Sequence, residues 1–118
     1  MRVMIVDDEQ PCLDDMVFLL SRYDGVEIAG AFTRPEEALA VAQALRPDAL
    51  FLDLAMPKLS GPELAKKILP FLPDVRFVFV TAYAKELENV RHLPVFGSLL
   101  KPVVNAKLSE LMKRLREM

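Results

Sequence analysis

Four apolar runs in the sequence are each followed directly by side chains capable of chemistry. Asp7-Asp8 follow Val3-Met4-Ile5-Val6, and Asp53 follows Ala49-Leu50-Phe51-Leu52. Thr81 follows Val75-Arg76-Phe77-Val78-Phe79-Val80, and Lys101 follows Leu99-Leu100. Brought to one crevice, three carboxylates, a hydroxyl and an ammonium call for a cation. Carboxylates packed together repel and lose solvation, which raises their pKa values. Lys101 offsets one negative charge, and a hard divalent ion with oxygen ligands offsets two more. Mg²⁺ suits a site of one or two direct carboxylates, several waters and a phosphoryl oxygen. With the charge so balanced, one carboxylate can act as a nucleophile toward phosphorus. The cation, Lys101 and the Thr81 hydroxyl suit the spread negative charge of a phosphoryl group in transfer. Singly, an Asp after a strand is ordinarily a turn residue or helix cap; the combination carries the inference.

The elements that must position these residues alternate. Apolar runs without polar alternation suit strands buried on both faces of a parallel sheet. They fall at Val3–Val6, Val26–Ala31, Ala49–Leu52, Val75–Val80 and Leu99-Leu100. Between them, Leu13, Met16, Val17, Leu19 and Leu20 recur at helical spacing and stop near Asp24-Gly25. Thr33-Arg-Pro-Glu36 predicts a capping box with Thr33 as cap, and Arg46-Pro47 ends that helix. Ser60-Gly-Pro-Glu63 predicts a second box, opening a helix to about Leu69. Ala84 to Arg91 reads as a short polar helix stopped before Pro94. Asn105 is expected to cap a last helix with Leu108, Leu111, Met112 and Leu115 on one face. Five strands alternating with five helices predict an α/β doubly wound parallel sheet. Ligands of such sheets bind at the carboxyl ends of the strands, where the acids, Thr81 and Lys101 fall.

Composition bounds the alternatives. The 118 residues fit one domain, 1–118. A hydrophobic content of 53% excludes a disordered chain. A net charge of −2 excludes a strongly basic nucleic-acid binder, although acids gather in the first half and bases in the second. One cysteine, Cys12, excludes a disulfide framework or a four-cysteine zinc site; it reads as a small buried hydrophobe. No apolar run approaches the ~18 residues of a membrane span. The N-terminus reaches Asp7 too soon for a secretory signal. A cytoplasmic chain beginning at its own methionine, with no membrane partner, is expected.

Four segments together resemble the receiver domain of two-component response regulators: Val6-Asp7-Asp8-Glu9, Asp53-Leu-Ala-Met-Pro57 with Gly61 beyond, Val80-Thr81-Ala82, and Leu100-Lys101-Pro102. The resemblance runs from residue 2 to about 117. It implies a flavodoxin-like (βα)5 fold with strand order 2-1-3-4-5. It implies that Asp53 is the phosphoacceptor, taking its phosphoryl group from the phosphohistidine of a sensor histidine kinase. Asp8 would bind Mg²⁺ directly with Asp53 and the Ala55 carbonyl, and Asp7 through water. Lys101 would pair with Asp53 and then with a phosphoryl oxygen. Thr81 would move to hydrogen-bond the phosphoryl group, and Pro102 would follow a cis peptide bond. The implied work is switching rather than turnover, so an enzyme is not expected. The family's surface of fourth helix, fifth strand and fifth helix implies a possible homodimer.

The sequence also departs from the family. The aromatic residue usual three positions before the lysine is Ser98, which puts the customary threonine–aromatic switch in question. Ala55 and Tyr83 stand where the family tunes dephosphorylation: Ala55 has no group to position a water, and Tyr83 is bulky. A long-lived phosphorylated state is the expectation. Tyr83 after Thr-Ala, the Asp-Asp-Glu opening and the compact segment between the last two strands are reminiscent of receivers joined to LytTR-type DNA-binding domains. Any contact with DNA would belong to such an output domain. Other readings compete. A degenerate receiver, a phosphorylation-independent interaction module, is favoured only by Ser98. A dehalogenase-type phosphatase calls for Asp-x-Asp after the first strand, where this chain has Asp7-Asp8-Glu9. A flavin site lacks a phosphate-cradling loop there.

Overall fold

A strand buried on both faces needs side chains that are apolar whichever way they point, and Ala49–Leu52 supplies four in succession. In the computed structural model, which describes residues 1–117, this run becomes the central strand. The elements are β1 (Arg2–Val6), α1 (Gln10–Ser21), β2 (Glu27–Phe32), α2 (Pro35–Leu45), β3 (Ala49–Asp53) and α3 (Gly61–Ile68). They continue with β4 (Arg76–Thr81), a 3₁₀ helix (Ala84–Val90), β5 (Val95–Leu100) and α4 (Asn105–Arg116). The five strands form one parallel sheet in the order β2-β1-β3-β4-β5. This is the doubly wound parallel sheet that the alternation predicts, in the flavodoxin-like strand order that the resemblance implies.

Side-chain alternation along the strands feeds two cores. Met4, Val6, Leu50, Leu52, Phe77 and Phe79 face α2, α3 and the 3₁₀ helix. Val3, Ile5, Phe51, Val78, Val80 and Leu99 face α1 and α4. Phe51, Phe77 and Phe79 are fully buried, and truncating any one to Ala costs about 3–5 kcal/mol. Val90, Leu93 and Val95 pack into the first core and Phe96 into the second.

Four local expectations are corrected. Thr33 does not cap α2: Arg34 holds the N-cap position without a side-chain bond, because Pro35 itself begins the helix. Asn105 is the first residue of α4, and Val104 precedes it as an uncapped start. The segment after β4 winds as a 3₁₀ helix, its only buried residue being Val90; with so little apolar face it gains little from α geometry. Strand β5 begins at Val95, four residues earlier than its apolar pair suggested, because pairing with β4 carries it through Gly97. The Ser60–Glu63 box forms reciprocally.

Chain order reverses between β1 and β3, so the switch point of the sheet opens between their carboxyl ends. Asp7 and Asp8 leave one side of it and Asp53 the other.

Candidate functional site

The strands deliver their terminal residues to one edge, and the loops then fix them. Asp7 is 3% exposed, and its Oδ1 accepts the Glu9 backbone N–H at 2.9 Å, tightening the turn into α1. Asp53, the last residue of β3, is 7% exposed. The Gly61 backbone N–H donates to the Leu54 carbonyl at 2.9 Å, folding the loop back on the strand end. A β-carbon at Gly61 would collide with the Asp53 carbonyl oxygen, so this close approach requires glycine. Lys58 takes a positive φ of 69° within the same loop.

Asp7, Asp8 and Asp53 each offer a carboxylate oxygen, all within 4.8 Å of one another. Lys101 reaches over them from β5. Its Nζ lies 2.8 Å from Asp7 Oδ2 and 3.6 Å from Asp53 Oδ2. Asp7 is therefore the nearer partner of the ammonium, although Asp53 shares it. The Lys101 backbone N–H donates to the Thr81 carbonyl at 2.8 Å, and the Lys101–Pro102 peptide bond is cis. Burial disfavours the Lys101 charge, but the Asp7 hydrogen bond and the Asp53 charge outweigh it and hold its pKa above the ordinary value.

Asp53 is pushed up to about 7. Burial is the main cause and the Asp7 charge the next; Lys101 pulls the other way, and Asp8 adds to the rise. Without further positive charge this carboxylate resists ionisation. An all-oxygen acidic set of this kind fits a hard divalent cation, whose charge would return Asp53 to the nucleophilic form.

Thr81 is 2% exposed. Its hydroxyl donates to Glu86 Oε2 at 3.1 Å and accepts the Tyr83 backbone N–H at 3.2 Å. The sequence reading missed Glu86, a half-buried residue five positions on; no periodic signal marks a 3₁₀ turn that returns a side chain to its strand. Ala55 is exposed in the loop after Asp53. Ser98 is exposed and aligned with Phe79, two positions before Thr81 on β4. Tyr83 is 67% exposed. Cys12 is half-buried rather than buried, in the wall of a cleft of about 190 Å³ shared with Met16, Val80 and Lys101. Burial raises its thiol pKa, which opposes reactivity. Among the described residues, no helix is long and apolar enough to cross a membrane.

Comparison with known proteins agrees with this geometry. The family model of the response regulator receiver domain matches residues 3–115. An uncharacterised response regulatory protein of Yersinia pestis is 39% identical over 116 residues, covering 98% of this chain and 48% of that protein. The transcriptional regulatory protein BtsR of Salmonella typhi is 36% identical over 117 residues, with the same coverage of 98% and 48%. The chain thus spans about half the length of these relatives. The response regulatory domain of mrkE from Klebsiella pneumoniae superposes with a TM-score of 0.90 at 30% identity, covering 99% of this chain and 96% of that one.

Proposed function

The chain belongs to the response regulator receiver domain family, and on that premise we propose that Asp53 accepts a phosphoryl group from the phosphohistidine of a sensor histidine kinase. One observation carries the reading: a buried carboxylate at the end of the central strand lies within reach of Lys101 and beside two further acids. An Asp53 oxygen attacks phosphorus, forming an O–P bond as the P–N bond breaks. The imidazole nitrogen leaves with the electron pair and takes up a proton. Lys101 shifts from the carboxylates toward a phosphoryl oxygen, and the Thr81 hydroxyl donates to another. Asp8, Asp53 and the Ala55 carbonyl would hold Mg²⁺, with Asp7 acting through water. Bound there, the ion supplies positive charge to the carboxylates and the transferring group. Hydrolysis reverses the state: water attacks phosphorus, the Asp53 carboxylate leaves, and inorganic phosphate departs.

The role is that of a switch, not of a turnover enzyme. The phosphorylated domain acts on an output region or partner, and any DNA contact lies outside residues 1–118. A second copy is the partner proposed for the face of the 3₁₀ helix, β5 and α4, where Leu100 and Val104 are exposed. Sedimentation before and after phosphorylation reads that association. The site itself is tested by intact mass after exposure to acetyl phosphate with Mg²⁺. One added phosphoryl group, absent in Asp53→Ala and without Mg²⁺, is expected. No adduct in the native chain, with no transfer from a phosphorylated histidine kinase, would favour the phosphorylation-independent module instead.

A further inference from the structure

A hydroxyl has one proton to give, and in this chain Thr81 gives it to Glu86. The acceptor is a carboxylate oxygen at 3.1 Å, while the Tyr83 N–H occupies the hydroxyl oxygen at 3.2 Å. Thr81 is buried at the end of β4, so its hydroxyl lacks free access to water as an alternative partner. Before it can donate to a phosphoryl oxygen on Asp53, it must leave Glu86. The two anions therefore compete for one proton. Glu86 also lines a groove of about 240 Å³ together with Leu54, Ala55 and Val90, facing the loop that follows Asp53.

We propose that Glu86 is a positioning residue: its carboxylate holds the Thr81 hydroxyl in the unphosphorylated arrangement and couples its release to the Ala84–Val90 helix. The inference rests on the receiver chemistry proposed for Asp53 and adds a residue to it. The 3₁₀ helix is well suited to respond. Only Val90 in it is buried, its hydrogen-bond geometry is intrinsically poorer than that of an α-helix, and segments with few buried contacts open at low cost. With Ser98 exposed on β5, the hydroxyl communicates through its own loop rather than through a ring on the neighbouring strand.

The test uses beryllofluoride with Mg²⁺ as the phosphoryl mimic, titrated by NMR against the native chain, Glu86→Ala, Glu86→Gln, Thr81→Ala and the double variant Thr81→Ala/Glu86→Ala. Glu86→Ala is expected to bind about tenfold more tightly, the weight of one hydrogen bond to a charged acceptor. Glu86→Gln, which keeps an acceptor oxygen, should fall between it and the native chain. In the Thr81→Ala background the Glu86 substitution should change nothing, which separates the hydrogen bond from a general effect of charge. Without beryllofluoride, Thr81→Val should shift the Glu86 carboxylate carbon resonance relative to the native chain, a readout independent of the mimic. Unchanged affinity in Glu86→Ala, or a gain that persists fully without the Thr81 hydroxyl, overturns the proposal. A native chain that binds no beryllofluoride and gains no phosphoryl mass overturns the Asp53 chemistry, and the coupling with it.

Discussion

Asp53 carries its proposed function and a cost to the fold in the same carboxyl group. Its folded-state pKa of about 7 lies above the ordinary 3.8. The folded chain thus binds a proton that the unfolded chain releases. That contribution is full below the ordinary value and is lost as pH rises through about 7. In metal-free buffer the urea midpoint is therefore expected to fall across this window and to level off above it. Asp53→Asn should flatten that segment, and an undiminished slope in the variant would refute the assignment. Asp7, Asp8, Asp53, Thr81 and Lys101 were all legible in the sequence, because a parallel sheet sends every strand end to one edge. The nearer pairing of Lys101 with Asp7 was not, since it depends on side-chain reach over an edge whose spacing the sequence does not state. Glu86 was likewise hidden behind a turn of uncommon period.

At the scale of elements, the loop between Asp53 and α3 ties the last residue of β3 to a helix start. Two substitutions there should separate geometry from stability. Ser60→Ala removes the side-chain half of the capping box and is expected to cost about 1 kcal/mol, with the site left intact. Gly61→Ala places a methyl group against the Asp53 carbonyl and forces the backbone apart, at about 1–3 kcal/mol. Phosphorylation by acetyl phosphate should slow in Gly61→Ala and hold in Ser60→Ala. Equal rates would show that the close approach does not set the site. The reciprocal box at Ser60 was readable because Ser and Glu both face the helix start. Thr33-Arg-Pro-Glu36 offered a similar pattern and failed, since Arg34, held extended before Pro35, stays outside the helix, whereas Gly61 before Pro62 is helical. Strand β5 was only half visible, because Gly97 and Ser98 interrupt its apolar pattern while pairing with β4 sustains it.

For the whole molecule, a cation held at the acidic edge would link folding to divalent ions. An ion bound only by the folded chain stabilises it by about 2.7 kcal/mol at a hundredfold excess over its Kd. Mg²⁺ is expected to raise the thermal midpoint of the native chain, and chelation should reverse the gain. Asp8→Asn should lose most of it. Equal midpoints with and without Mg²⁺ would argue against a cation site. The aromatic content adds an optical consequence. The chain has no tryptophan and two tyrosines, and the two stand in different settings. Tyr23 lies beneath the Arg116 guanidinium, 5.8 Å from its ring centre, whereas Tyr83 is exposed with its N–H bonded to the Thr81 hydroxyl. Tyr23→Phe would leave Tyr83 as the single tyrosine, on the residue whose backbone is tied to the Thr81 hydroxyl. Its emission should change when Asp53 is phosphorylated and stay constant in Asp53→Ala, giving the unlabelled protein an intrinsic fluorescent reporter of its own state.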